Sequence, residues 1–447
     1  MERNEFFEQL AKAAETEGFT DCETYYQQAD SFEVLVLEGK VSHYENSRTE
    51  GVSFRGNIGG RTGYACTEQL AADAIPFLVN AAKENAALLP PEDAEELYPG
   101  EKEYPVLQGI HEGLERLSVS EKIDAAKRME QAALAGAEEV ALLDYCVLGT
   151  VRVETVIRNS RGLDVSFAQN YATAFVSAIA RKGDETKTGS YFWKDQDWNG
   201  FDPEKTGREA ARRAAMQLGA ASVPSGKYDA VLYGEAMVAL LGAFCGIFYA
   251  ENVQKGFSLL GGKLGQNIAS TVVTLRDDAL LTGGYASTPF DSEGVSGRNK
   301  AVIENGTLRT FLYNRKSAKA DGAESTGNGF KASLTAPVKT ACTNFYLQKG
   351  AKSRDELFEA LQNGLFITDL MGLHAGTNTV SGDFSLSASG FLIENGKLGR
   401  PVEQITIAGN FYRLLEAIED VANDMYFSSG GKGSPSILVR GLDIAGM

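Results

Sequence analysis

Apolar residues change their spacing several times along this chain, and each change marks an element. Phe6, Leu10 and Ala14 recur at helical spacing near the start. Phe32, Val34 and Val36 then alternate with Glu33 and Leu35, and Glu38-Gly39-Lys40 turns the chain. Short strands over Val41 to Glu50, Gly51 to Arg55 and Gly60 to Ala65 continue around glycine turns, which predicts an antiparallel meander. A helix is expected near Leu70 to Ala82. Pro90-Pro91, Pro99-Gly100 and Pro105 make residues 85 to 110 an irregular connection. Ser118-Val119-Ser120-Glu121 is a capping box, and Ile123, Ala126, Met129 and Ala133 give the helix behind it an apolar face.

Period two returns at Val151, Val153, Thr155 and Ile157, a half-exposed strand that Asn159-Ser160-Arg161-Gly162 turns back into Leu163 to Phe167. Asp202 caps a helix with Pro203 at its first position, and Gly219 stops it. Ser222-Val223-Pro224-Ser225-Gly226 is the best boundary, dividing an N-terminal α+β domain (1–220) from a β-rich C-terminal domain (221–447). The second half carries an apolar helix at Glu235 to Ala250, another near Asp355 to Asn363, and two Glu-Asn-Gly-x-Leu runs, Glu304 to Leu308 and Glu394 to Leu398. Asn-Gly accepts the positive φ of a type I′ turn, so each run predicts a tight β-hairpin. Strands come in runs and helices in separate runs, without β-α-β alternation. The expected class is α+β, two-domain and rich in antiparallel sheet.

At 447 residues the chain is too long for one ordinary core, and its 43% apolar and 23% charged residues are those of a globular protein. A net charge of -17 argues against nucleic acid and anionic membranes, because phosphate contact needs clustered Lys and Arg. The five cysteines are scattered and never form CxxC, which reads as reduced thiols of a cytoplasmic protein. Met1-Glu2-Arg3-Asn4-Glu5 has no apolar signal core, and the run from Ala236 to Ala250 is too short and glycine-interrupted to span a bilayer.

Candidate chemistry is sparse. The three histidines, His43, His111 and His374, never stand at i, i+4 or i, i+5, so no helix offers two imidazoles to one ion. Asp291, Glu293 and Asp383 are the carboxylates best suited to acid–base work or a cation, Asp291 and Glu293 on one side of an extended segment; the alternative is that they cap turns. His374, beside Gly372 and Gly376, is an acid, base or ligand candidate, or a loop hydrogen-bonder. Tyr191, Trp193 and Trp198 crowd a polar segment that either covers a cleft or partner or folds back on its own domain. Gly242 and Gly246 form a smooth i, i+4 face suited to close packing, and Cys245 between them reads as an inert small hydrophobe. Ser325-Thr326-Gly327-Asn328-Gly329 has glycine-loop character but not P-loop spacing.

The blocks Ala286 to Gly294, Phe311 to Ala318 with Asn314 and Ser317, Ser325 to Asn328, Thr343-Asn344, Thr379 to Gly390 and Pro401 to Asn410, in that order, resemble the TldD/PmbA family. Within it the chain looks most like the TldE (PmbA) branch. In the catalytic branch a helix carries HExxxH, two zinc ligands and a water-activating Glu, and a cysteine near the C-terminus adds a ligand. Gly242, Ala243 and Ile247 stand at the matching helix positions, and Phe427 to Gly433 holds no cysteine. The resemblance therefore implies no metal or other cofactor in this chain and a TldD-like partner that supplies zinc. The pair would cleave short or unfolded peptides, with this chain forming part of the cleft wall. Tyr191, Trp193, Trp198, Asn314 and Asn344 are the expected cleft or partner contacts, and a homodimer is expected when the partner is missing. Two rival readings stay open: a self-sufficient hydrolase with a different site, and a stand-alone peptide-binding protein. The family has also carried the label "modulator of DNA gyrase", to which the charge lends no support.

Overall fold

Four of the first six strands are very long. The computed structural model describes residues 1–90 and 95–447; Pro91, within the expected irregular connection, lies outside the described residues. Strands β1 (Asp21–Leu37), β2 (Lys40–Ile58), β3 (Arg61–Thr67), β4 (Val140–Asn159), β5 (Asp164–Lys182) and β6 (Glu185–Asp195) form an antiparallel sheet in the order β3-β2-β1-β4-β5-β6. The separate short strands expected over 41–50 and 51–55 are one strand of 19 residues, with Gly51 opposite Gln27 in mid-ladder. Its outer end, Lys40 to Arg48, is exposed along most of its length, so no buried face imposes the two-residue alternation that would have revealed it.

Helices bury this sheet in two clusters. Arg3–Thr16 and Ala74–Ala87 bring Phe6, Leu10, Leu78 and Val79 against Tyr26, Val52 and Phe54. Val119–Leu134 and Pro203–Ala215 bring Met129, Ala133, Ala210 and Ala214 against Phe32, Val34, Leu148 and Val176. The second pair starts as the sequence predicts. Ser118 and Glu121 form a capping box, and Asp202 accepts the Lys205 amide at 2.8 Å with Pro203 behind it. The second pair also packs backbone to backbone: a Cβ on Gly207 would lie 2.2 Å from the Met129 carbonyl oxygen.

The second half contains β7 (Gly226–Leu232), β8 (Leu275–Asp278), β9 (Asn299–Glu304), β10 (Thr307–Leu308), a separate pair β11 (Gly329–Lys331) and β12 (Val338–Thr340), β13 (Asn344–Leu347), β14 (Gly364–Met371), β15 (Asp383–Glu394), β16 (Lys397–Asn410), β17 (Ile418–Phe427) and β18 (Lys432–Ala445). The order is β10-β9-β8-β13-β18-β16-β15-β14-β7, and β7 pairs back onto β18, so five strands close a circuit. Two pairings, β7–β14 and β13–β18, are parallel. Both Glu-Asn-Gly-x-Leu runs are hairpins: Asn305 and Gly306 have φ of 47° and 81°, Asn395 and Gly396 of 52° and 72°. The fold is α+β and sheet-rich.

The expected helix from Glu235 to Ala250 stops early. It runs over Gly234–Phe244, and Cys245–Phe248 is a 3-10 turn. The cause is nonlocal: the Ala250 amide donates to the Leu312 carbonyl at 3.0 Å and the Leu312 amide to Phe248 at 2.9 Å, pulling Tyr249 into extended backbone. The Gly242/Gly246 packing face is thereby overturned. Gly246 lies beyond the helix, and a Cβ on exposed Gly242 would meet nothing within 4 Å. No helix of the described residues is long and apolar enough to cross a membrane.

Candidate functional site

Where the two halves meet, a cleft of about 270 Å³ opens between Tyr25, Gln27, Thr155 and Gln169 of the first sheet and Ser287, Asp291, Ser292, Lys331, Cys342 and Thr343 of the second half. The far wall is made of loops, so a buried polar frame has to fix it. Asp277, fully buried, accepts the Thr343 amide at 2.6 Å, the Thr343 hydroxyl at 3.0 Å and the Asn328 side-chain amide at 2.8 Å, and pairs with Lys300 at 2.8 Å. With every lone pair of that carboxylate engaged, one residue ties the loops at 328 and 343 to strand β8.

Asp291 forms a tight turn rather than an extended segment. Its oxygens accept the amides of Glu293 at 2.9 Å, Val295 at 3.0 Å and Gly329 at 2.8 Å. Burial and then the neighbouring Glu293 carboxylate push its pKa up to about 8, and the three amides pull against them. The turn sends the two carboxylates to different places, which overturns the expectation of one shared side. Asp291 lines the cleft, whereas Glu293 lines a second cavity of about 930 Å³ with Arg55, Tyr64, Arg298, Asn314 and Arg315. There it accepts the Arg315 amide at 2.8 Å, and burial raises its pKa too.

The other predicted residues disperse. His374 is exposed in the one-turn helix Leu373–Gly376, and Asp383 is held by Asn410 and Ser381, each at 2.8 Å, with its pKa lowered by the Asn410 amide first. Asn314 caps the helix Arg315–Asp321. Asn344 donates to the Asp278 carbonyl at 2.7 Å and to Ser287 at 2.9 Å. Trp193 and Trp198 stack on Phe201, with ring centres 4.4 and 4.9 Å away, against the core of their own half, while Arg213 lies over Tyr191 at 5.3 Å.

Two lysines at the junction escaped sequence reading. Lys331 donates to Ser53 at 2.9 Å and lies over the Tyr25 ring; burial pushes its pKa down to about 8. Lys194, almost fully buried, lies 4.1 Å from the Tyr171 ring centre and donates to the Ser429 carbonyl at 3.2 Å, inside the loop Phe427 to Gly433. No carboxylate pairs with it among the described residues, and burial again drives the pKa down to about 8. Nothing local flags either residue, since their hydrogen-bond partners lie in the other half of the chain.

The residues present do not fit a peptidase zinc. Gly242, Ala243 and Ile247 offer no donor side chain, and among the described residues no three His, Cys, Asp or Glu side chains converge as a metal group. What does stand beside the helix end is a pair of thiols, Cys245 and Cys342, on either side of the Tyr249 hydroxyl.

Comparison with known proteins places this architecture. Residues 22–86, 112–218 and 225–446 match, in turn, domain 1, the central domain and the C-terminal domain of the PmbA/TldA metallopeptidases. The chain belongs to the PmbA/TldD family. It is 28% identical to Metalloprotease PmbA of Escherichia coli O157:H7 over 390 residues, 86% of this chain and 83% of that one. A Thermotoga maritima crystal structure described as a DNA gyrase modulator superposes with a TM-score of 0.91 at 34% identity, covering 99% of this chain and 100% of the other. TldE from Thermococcus kodakarensis shares the fold, with a TM-score of 0.91 at 23% identity over 98% and 100% of the two chains. Peptidase function at the level of the family follows from these relatives.

Proposed function

We propose that this chain is a TldE/PmbA-like, non-catalytic subunit of a cytoplasmic two-chain zinc peptidase acting on short or unfolded peptides. The observation that carries it is the side chains at Gly242, Ala243 and Ile247, none of which can ligate a metal or act as a base. A family fold is retained, with the interdomain cleft built, while by the family resemblance these three stand where the catalytic branch has its two histidines and its Glu. The residues of this chain then serve as a wall. Tyr25, Gln27 and Gln169 on one side, and Ser292 and Lys331 on the other, offer hydrogen bonds and a cation to an extended peptide. A TldD-like partner supplies the metal that polarises the scissile carbonyl.

Cleavage of an unfolded peptide by this chain alone, by a zinc-bearing TldD-like partner alone, and by the two together tests the proposal. Turnover is expected when the partner is present, rising on addition of this chain and abolished by chelator. Chelator-resistant turnover by this chain alone would sink it. Metal analysis after purification without added metal should find far less than one zinc per chain. Without its partner the chain should self-associate as a two-fold dimer burying roughly 2,000 Å² or more, enough to offset the charge of -17 on each copy. Light scattering that returns the 48.0 kDa monomer would refute that part.

A further inference from the structure

The thiols beside the cleft do not enter the function proposed above, and their geometry is not that of inert core cysteines. The Tyr249 hydroxyl lies 3.3 Å from the Cys245 sulfur and 3.5 Å from the Cys342 sulfur, so its one proton can serve either of them. The Cys342 amide in turn donates to the Tyr249 oxygen at 3.3 Å, so the phenol is held in place from the backbone of one of the residues it bridges. Cys245 and Cys342 are each only partly buried as residues, and Cys342 lines the cleft, which gives a small reagent its approach to the pair. Cys22 and Cys146, by contrast, are buried, and burial raises their thiol pKa values to about 11 and about 12.

We infer that Cys245 and Cys342 are the attacking and resolving thiols of a reversible dithiol–disulfide couple at the edge of the cleft. Cys342 first, then Tyr249 and the charge of Lys432, draw the Cys245 pKa down against burial, which raises it, while Cys342 is driven up. The pair is thus polarised towards a thiolate at Cys245 and a thiol at Cys342, as a nucleophile with its resolving partner requires. The co-reactant is a low-molecular-weight disulfide. The Cys245 thiolate attacks one of its sulfurs, a mixed disulfide forms and one small thiolate leaves. Cys342, giving up its proton, then attacks the Cys245 sulfur and expels the second small thiolate. Two electrons pass from the protein pair to the small disulfide, which leaves as two thiols. The new bond ties the end of the helix Gly234–Phe244 to the segment Cys342-Thr343-Asn344 that forms the cleft wall.

The test uses the full chain with all five cysteines, equilibrated with mixtures of oxidised and reduced glutathione, quenched with acid, unfolded and alkylated. The expected result is five alkylated thiols under reducing conditions and three under oxidising ones, with peptide mapping joining Cys245 to Cys342. Cys342→Ser should retain glutathione on Cys245. Cys245→Ser should lose the fast reaction with a chromogenic disulfide at pH 7, at least about tenfold in rate. Tyr249→Phe should move the pH profile of that reaction upward without abolishing it. Five free thiols throughout, a disulfide joining any other pair, or a Cys245→Ser rate equal to wild type would each overturn the inference, and the wild-type count holds even if a variant fails to fold.

Discussion

The first sheet and the second solve the same problem by different means. Strands β1 to β6 run antiparallel in near-sequential order, joined largely by short turns, and helices cover them with alanine-rich and aromatic faces. The second sheet is mixed, closes on itself, and hangs its loops on fully engaged polar side chains: Asp277, Asp291, Asn328 and Asn344 are all buried. Apolar packing tolerates moderate change because neighbouring side chains can shift. A buried carboxylate with four partners cannot, since removing it strands every donor at once. Stability should therefore be spread widely in the first half and concentrated on a few atoms in the second.

Asp277→Ala gives the largest expected effect. It leaves the buried Thr343 amide and hydroxyl and one Asn328 side-chain N–H without their acceptor and removes the partner of the Lys300 ammonium, and should cost about 3–5 kcal/mol. Urea unfolding followed through the tryptophans, both in the first half, should show their transition moving far less than that of the second half. Equal shifts would show that the halves unfold as one unit. Lys194 probes the seam between them. Its folded pKa of about 8 lies below its ordinary 10.5, so between those values the unfolded chain holds a proton that the native chain has released. The penalty for burying it is full below about pH 8 and fades as pH rises towards 10.5. Relative to Lys194→Met, wild type should gain up to about 3 kcal/mol across that window. Parallel stability curves would contradict this, and the tyrosines that titrate nearby are common to both proteins.

Gly207→Ala presses the first half at its tightest point. The added methyl meets the Met129 carbonyl, and the two helices must part, at about 2 kcal/mol by thermal unfolding. A neutral result would mean that this packing is slack. The smallest effect is Gly396→Ala in the β15–β16 hairpin, where φ of 72° disfavours any Cβ: about 1 kcal/mol, and no change in cleavage by a partnered chain.

Legibility follows the range of the forces involved. The hairpins at Asn305-Gly306 and Asn395-Gly396, the Ser118 capping box and the Asp202 cap were readable because each is closed within five residues. The long β2 strand was not, since its outer end lacks a buried face to impose alternation. The helix end at Phe244 was not, because Leu312 sets it from the other side of the domain. At the site, Asp291 and Glu293 stood out by residue type, but their divergence depends on Gly329 and Arg315, whose amides arrive from elsewhere. Cys342 and Lys331 gave no local signal, for their partners lie in distant segments.

Strand β18 pairs with β7, β13, β16 and β17, and every one of them precedes it in the chain. On a ribosome the first sheet is complete once Asp195 has emerged, whereas the five-strand circuit cannot close until residues 432 to 445 have followed. For nearly half the period of synthesis, β7 and its apolar helix wait without their closing strand, with sheet edges open to the wrong neighbours. Assembly of the second half thus waits on its last strand, and any chain cut short before β18 should be a substrate for proteases and chaperones rather than a subunit.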